Sequence, residues 1–365
     1  MKLLIVEDEK DILESYDRQI NLFNIDNPEC KFEADFCEKY EEAQENLGND
    51  YDAVILDLKL SKTKVEYKGK ELLKEIKSNL RYISYVITGN PEAIEEEKGN
   101  ENVFFRIRVK GEENADFTKI LDEITKIYKT GVTKILGNTG VIEDYLNNIF
   151  WNNLSNSVEL WINDETRTPD QKEKSLLRYT VLHMQEYIDE ELEKYHPNEF
   201  YISKPVKKNI FTGDIINYDS SRYIVLTPSC DIVLRENDLR NAERILFCKI
   251  KSLNETVKNF NQLNKDTGKT NDDRKRLYGY IKNSKQNYHF IPKGSSVEAG
   301  LIDFQDKLTI SDSIVREKLL NKEIVRIATV SQPFLKEIIS RYSNYYARQG
   351  SPDFNIEEVY DLLFQ

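Results

Sequence analysis

The first third of the chain alternates short, continuous apolar runs with longer segments of helical spacing. Leu3, Leu4, Ile5 and Val6 form one such run, which stops at Glu7-Asp8-Glu9. A run without alternation suits a strand covered by helices on both faces, as in a parallel sheet. Residues 10–23 place Ile12, Tyr16, Ile20 and Phe23 on one face of a helix. Residues 32–36 read as a strand and 38–47 as a polar helix. A second buried run, Ala53-Val54-Ile55-Leu56, ends at Asp57, and Gly69 opens a helix with Leu72, Leu73 and Ile76 inward. Residues 82–87 predict a fourth strand ending in Thr88-Gly89, and 103–109 a fifth closed by Lys110. Phe117, Ile120, Leu121, Ile124 and Ile127 give residues 116–129 an amphipathic helix. Five β-α units within the first 130 residues predict an α/β body with a doubly wound parallel sheet, (βα)5 in order.

The pattern changes after residue 130. Residues 140–200 are mostly of helical type, with apolar spacing over 181–192 and Pro197 as a stop signal. From about residue 205 the pattern is mixed. Residues 215–218 and 223–226 read as two strands joined by a turn at Asp219-Ser220-Ser221. Residues 245–250 and 324–330 are further strands, 251–283 are polar and helical or looped, and 331–365 read as two helices broken at Gly350-Ser351-Pro352. The expected organisation is an α/β domain over 1–130, a helical linker or subdomain over 131–204, and an α+β effector domain of unknown type over 205–365.

Composition narrows the classes. A chain of 365 residues at roughly 150 per domain allows two or three domains. The formal net charge of −12 lacks the global footprint of a nucleic-acid binder. Cys30, Cys37, Cys230 and Cys248 have neither zinc-ligand nor disulfide-framework spacing, so a reducing cytoplasm fits best. No apolar run approaches the length of a membrane-spanning helix, and the start of the chain is too short of apolar residues for a signal peptide.

The chemistry gathers at the strand ends. In an open parallel sheet, ligands bind outside the carboxyl ends of the strands. Glu7 and Asp8 follow strand one, Asp57 ends strand three, Thr88 ends strand four and Lys110 ends strand five. Carboxylates brought together repel one another unless a cation joins them. A hard divalent ion such as Mg²⁺ takes oxygen ligands of this kind. Phosphoryl transfer requires mainly positioning and charge stabilisation, which a metal and a lysine provide.

This constellation resembles the receiver domain of two-component response regulators. The matching stretches are Leu3 to Glu9, Tyr51 to Leu58, Gly69-Lys70-Glu71-Leu72-Leu73, Val86-Ile87-Thr88-Gly89 and Val109-Lys110, within about the first 128 residues. The resemblance implies phosphorylation of Asp57 by a partner histidine kinase, with Thr88 as switch hydroxyl and Lys110 as pocket lysine. It also implies Mg²⁺ held by Asp8, Asp57 and the carbonyl of Lys59, with Glu7 assisting through water. It leaves room for a protein output partner and a phosphorylation-dependent homodimer. The chain departs from the family in three ways: Gly111 stands where proline follows the lysine, the loop over 58–68 is longer and carries Lys59, Lys62 and Lys64, and Ile107 aligns with the aromatic switch position, with Phe105 two residues earlier.

The C-terminal part shows no helix-turn-helix, so direct transcription control and nucleic acid as a partner are not expected. Lys265, Lys269, Arg274, Lys275, Arg276, Lys282 and Lys285 interleave with Tyr278, Tyr280 and Tyr288, a pattern that suits a solvated helix face better than a strand of nucleic acid. Thr212-Gly213-Asp214 and Thr227-Pro228-Ser229-Cys230-Asp231 weakly resemble the opening of small SH3-like barrels, including some toxin nucleases. A carboxylate next to Cys230 raises the thiol pKa, which argues against a reactive thiolate. His183, His196 and His289 have no metal-site spacing. Two other functional classes stand beside the phospho-acceptor reading. One is a receiver-gated nuclease or hydrolase with its site near Thr227–Asp231; the other is a pseudo-receiver scaffold.

Overall fold

The computed structural model describes all residues except 49, 58–67, 90, 138–139, 190–193, 258–259, 261–262, 264–271, 349–352 and 365. The chain divides into two compact units, Met1–Leu192 and Glu193–Gln365.

The first unit opens with β1 (Lys2–Val6), α1 (Lys10–Asp26), β2 (Glu33–Cys37), α2 (Tyr40–Asn46), β3 (Ala53–Leu56) and α3 (Lys68–Asn79). β4 (Ile83–Thr88), β5 (Phe105–Val109) and α4 (Phe117–Tyr128) complete the body. All strand pairs are parallel and the order is β2-β1-β3-β4-β5, the doubly wound sheet expected from the apolar runs. Successive strand residues point to opposite faces. Leu4, Val6, Val54, Leu56 and Val86 therefore pack with Leu72, Leu73 and Ile76 of α3. Leu3, Ile5, Ala53, Ile55 and Tyr85 pack on the other face with α1 and α4. Each such fully buried aliphatic side chain contributes on the order of 1.5–3 kcal/mol, and this fixes which strand ends lie side by side.

Three local expectations are corrected. The fourth crossover is no α-helix but a 3₁₀ stretch over Pro91–Asn100, broken at Ile94. Glu-rich and without an apolar stripe, this segment buries little beyond Ile94, so packing does not stabilise a regular helix there. β5 starts at Phe105 rather than 103, because Asn102 forms an Asx turn: its side-chain oxygen accepts from the Phe104 N–H at 2.8 Å, leaving Val103 and Phe104 exposed. In α1 the buried residues are Leu13, Ile20 and Phe23, while Ile12 is half-buried and Tyr16 stacks on Phe117.

The rest of this unit is helical: α5 (Val132–Leu136), α6 (Val141–Asn148), a π-type turn (Ile149–Leu154), α7 (Glu159–Ile162) and α8 (Pro169–Ile188). Thr168 caps α8 with a full capping box to Gln171 and a proline at the first turn. α8 ends at Ile188. Pro197 does not end a helix; it opens a 3₁₀ turn, Pro197–Phe200. Among the described residues no helix is long and apolar enough to cross a membrane.

The second unit is an antiparallel, curled seven-stranded sheet with helices. Its elements are β6 (Tyr201–Ser203), β7 (Asp214–Tyr218), β8 (Ser221–Val225), α9 (Ser229–Ile232), β9 (Arg244–Ser252), α10 (Leu253–Thr256), α11 (Asp272–Ile281), β10 (Tyr288–Ile291), β11 (Gly300–Ser311), α12 (Asp312–Leu320), β12 (Val325–Val330), α13 (Gln332–Ala347) and α14 (Ile356–Leu362). The strand order is β10-β11-β9-β8-β7-β12-β6. Asp219 and Ser220, both with positive φ, form the two-residue turn between β7 and β8, and Ser221 already pairs with Tyr218. β11, the longest strand, has no counterpart in the sequence reading: Gln305-Asp306-Lys307 interrupts its apolar run at an irregularity between Ile302 and Lys307. The predicted break at residues 350–352 lies outside the described residues.

His289 on β10 is almost wholly buried, and no described group pairs with its Nδ1. Burial, aided by the positive charge of Arg341, pushes its pKa down to about 3. The unfolded chain binds this proton below a pH of about 6.5 and the folded chain does not, so stability falls as pH drops through that window. The expected loss attributable to His289 is about 2 kcal/mol at pH 5. Urea unfolding of wild type and His289→Gln between pH 7 and 5 checks this: the wild type should lose the extra increment, and equal slopes would refute it.

Candidate functional site

Register alone brings the acidic residues to one edge of the parallel sheet. Val6 pairs with Leu56, Leu56 with Val86, and Thr88 with Val109. The Asp57 N–H donates to the Val6 carbonyl at 2.8 Å, and the Lys110 N–H to the Thr88 carbonyl at 2.9 Å. β1 and β3 end level, β4 runs two residues past β3, and β5 ends level with β4, so the next side chains gather at one sheet edge.

Glu7, Asp8 and Asp57 each offer a carboxylate oxygen there, all within 4.8 Å of one another. Glu7, Asp57 and Thr88 are buried, Asp8 half-buried. The Lys110 ammonium donates to Asp57 Oδ2 at 2.7 Å and to Glu7 Oε2 at 2.9 Å. The other Glu7 oxygen accepts from the Glu9 N–H at 3.2 Å. Burial holds the Glu7 carboxyl above its usual range, and the Asp57 charge adds to that, while Lys110 pulls the other way. Burial works to lower the Lys110 pKa, but its bonds to Asp57 and Glu7 raise it further still, so it stays a cation. Three carboxylates against one ammonium leave an excess of negative charge in a confined space. A hard cation with oxygen preference fits that donor set.

The structure thus brings together Glu7, Asp8, Asp57 and Lys110, and places Thr88 at the same sheet edge. Lys59, with most of the lysine-bearing loop, lies outside the described residues. Gly111 adopts φ +94°, which proline with φ near −65° cannot, and no cis peptide bond occurs among the described residues. Ile107 is buried against Val86 and carries no ring or hydroxyl, while the Lys77 ammonium sits 3.9 Å above the Phe105 ring.

The helical spacing of residues 10–23 places Tyr16 only on the core face. It stacks on Phe117 at 4.1 Å and lines a cleft of about 520 Å³ with Ile87, Lys110, Gly111 and Glu112. Burial and the Glu7 charge push its pKa up to about 12. The helical stripe hides this second role, because a tyrosine at a core spacing gives no sign of where its hydroxyl points.

The sequence candidates of the second unit are structural. Gly213 has φ +88°, and a Cβ there would lie 2.7 Å from the Leu335 side chain. Fully buried Asp214 accepts from Arg326 Nε at 2.7 Å, Thr329 Oγ1 at 2.5 Å and the Phe211 N–H at 2.8 Å. Thr227 is locked by Thr212, whose hydroxyl donates to its carbonyl, and by the Leu246 N–H, which donates to its hydroxyl. Cys230 is exposed, and no described histidine pairs with it. His183 bonds to the Tyr179 carbonyl within α8, and His196 caps the turn at Pro197. In the basic tyrosine cluster, Tyr280 is buried against Tyr288 and Arg274 lies over Tyr278.

No protein-family model matches the chain, and no curated protein matches it. Solved structures similar to its first third include a CheY-like response regulator receiver domain from Methylobacillus flagellatus, 22% identical, covering 34% of this chain and 98% of that one, TM-score 0.27. A CheY-like receiver domain protein from Methanospirillum hungatei JF-1 is 18% identical over 35% of this chain and 96% of that one, TM-score 0.28. The N-terminal domain of a response regulator/sensory box/GGDEF 3-domain protein from Carboxydothermus hydrogenoformans is 19% identical over 36% and 99%, TM-score 0.27.

Two outcomes are expected. In chelator-containing buffer, Lys110→Met should lower stability at pH 7.5 by roughly 1–3 kcal/mol, since two buried carboxylates lose their cation. Without the lysine the Glu7 pKa rises further, so the loss should shrink as pH falls and Glu7 takes up a proton. A loss independent of pH in urea melts would contradict the charge argument. Asp214→Ala should cost about 3–5 kcal/mol by leaving half-buried Arg326 without its carboxylate; a melting curve within error of wild type would show that the cluster is not a structural clamp.

Proposed function

We propose that the chain is a response regulator of a two-component phosphorelay, with Asp57 as the phospho-acceptor. The observation that carries the proposal is the shared ammonium of Lys110, bonded at once to Asp57 and Glu7 where Asp8 also converges. A neutral strand end would not need such a cluster, and a stability role alone would not favour three carboxylates on one cation.

On this reading a histidine kinase presents a phosphorylated imidazole at the sheet edge. An Asp57 oxygen attacks phosphorus, the bond from phosphorus to the imidazole nitrogen breaks, and the imidazole leaves. Lys110 exchanges its bond to the carboxylate for one to a phosphoryl oxygen, remaining protonated throughout. The Thr88 hydroxyl donates to another phosphoryl oxygen. Asp8, Asp57 and the Lys59 carbonyl, with Glu7 through water, are the groups that would hold Mg²⁺. Bound there, the ion neutralises charge on the transferring group. The added charge then biases a two-state surface around Thr88 and β5.

The organisation we propose is a receiver over 1–130, a helical linker, and an effector domain that begins before residue 205, since β6 (Tyr201–Ser203) pairs with β12 in its sheet, in a cytoplasmic protein. Output through protein contacts, or through a homodimer formed on phosphorylation, is favoured over nucleic-acid binding. The helical segment supports this: Phe150, Trp151, Leu160, Ile162 and Leu182 are all exposed, more apolar surface than a free-standing segment usually leaves to water. The receiver-gated enzyme gains no support at Thr227–Asp231, where no described histidine meets Cys230.

Incubation of the full chain with acetyl phosphate and Mg²⁺ tests the proposal. Wild type should gain the mass of one phosphoryl group, and Asp57→Asn should not. Beryllofluoride should alter hydrogen exchange around Thr88 and β5 in wild type alone. Absence of labelling in wild type would leave a pseudo-receiver scaffold and defeat the phosphorelay reading.

A further inference from the structure

The second unit holds a cavity of about 240 Å³ beside the C-terminal half of α13, lined by Gln286, Arg341, Asn344, Tyr345 and Arg348. Arg341 and Tyr345 share one face of α13, and Arg348 follows its last residue. No acidic residue lines the cavity.

Arg341 differs from the most deeply drawn-in arginines in its partners. The arginines drawn furthest into either unit meet a carboxylate: Arg108 bonds to Glu123 at 2.8 Å, Arg326 to Asp214 at 2.7 Å, and Arg240 to Asp312. Arg341 is half-buried, yet among the described residues no carboxylate pairs with it. One of its terminal nitrogens donates to the carbonyls of Asn283, Lys285 and Tyr288 at 2.8, 3.0 and 3.0 Å. Its Nε is buried without a partner, as is the Nδ1 of nearby His289. A guanidinium cannot lose its proton. Three carbonyls fix its plane but supply no compensating charge. Tyr345 is also held in place, since Gln305 donates its side-chain N–H to the Tyr345 hydroxyl at 2.7 Å.

We infer that this cavity binds a small phosphate monoester or free phosphate, with Arg341 and Arg348 supplying the positive charge and Gln286 and Asn344 the amide hydrogen bonds. Planar guanidiniums match oxyanion geometry and form the stronger, charge-assisted class of hydrogen bond. The side-chain amides of Gln286 and Asn344 donate without adding charge, and Tyr345 offers a ring face to the organic part of the ligand. The small, solvent-open volume suits one small ligand, whereas a nucleic-acid strand would need a groove with repeated cations and stacking rings.

Isothermal titration of the full chain carrying Asp57→Asn, in EDTA and at constant ionic strength, separates this site from the receiver pocket. The probes are inorganic phosphate, 5′-AMP and a short single-stranded oligonucleotide. Saturable binding of phosphate or 5′-AMP is expected, weakened roughly tenfold by Arg348→Ala and measurably by Asn344→Ala. Both residues are exposed, so both variants should fold, which far-UV circular dichroism verifies. Arg341→Lys keeps the charge but loses the planar fork, and should weaken binding as well. No saturable binding, or binding unchanged in Arg348→Ala and Asn344→Ala, would overturn the inference. So would an oligonucleotide that binds more tightly than either small probe with a steep salt dependence, since the ligand class would then be wrong.

Discussion

One ammonium group holds the acidic edge of the parallel sheet together. Glu7 and Asp57 are both buried, they sit on adjacent strands, and Asp8 adds a third carboxylate within reach. Burial alone would push such a set toward protonation. Lys110 opposes that at Glu7 and bonds to Asp57 as well, and it can do so only because β5 ends in register with β4. The placement of Lys110 therefore depends on the apolar packing of β3, β4 and β5 further back in the sheet. That packing reaches right up to the site: Leu56, Val86 and Ile87, one or two residues before Asp57 and Thr88, are fully or almost fully buried.

This dependence explains why the acidic site was legible in the sequence and much of the rest was not. An apolar run followed at once by an acid or a lysine marks both a strand and its end, and topology does the remaining work. Glu7, Asp8, Asp57, Thr88 and Lys110 could all be placed on that signal. Tyr16 could not, because a helical stripe does not distinguish a core ring from one that also borders a cleft. The 3₁₀ crossover over Pro91–Asn100 escaped because its sequence carries little apolar periodicity of any kind. β11 escaped for the opposite reason: its polar interruption Gln305-Asp306-Lys307 coincides with an irregular pairing that only the fold reveals.

The second unit shows the same limit in another form. Its most distinctive sequence feature, Gly213-Asp214, is an architectural clamp: the glycine admits Leu335, and the aspartate ties β7 to β12 through Arg326 and Thr329. The chemistry-bearing cluster of this unit instead assembles from residues far apart in sequence, with Gln286 and the end of α13 meeting across one cavity. No local pattern announces such a meeting. An arginine at a helical spacing reads as surface until its missing counter-ion is seen.

The departures from the receiver pattern have physical consequences that belong together. Gly111 takes a left-handed backbone that proline could not, so the turn after Lys110 is shaped by glycine's freedom. Ile107 fills the interior without a ring, so no aromatic side chain is available at that position to swing between inward and outward rotamers. β5 is anchored differently on its two faces. On one, Arg108 bonds to Glu123, which also accepts from the Tyr85 hydroxyl at 2.7 Å. On the other, Phe105 lies under Lys77, which pairs with Glu97 of the 3₁₀ stretch. A change in charge at Asp57 acts on Lys110 at the end of this strand. It would therefore be felt as a pull on an edge strand held by an ion pair to α4 and by a cation–π contact to α3. Neither route requires an aromatic switch.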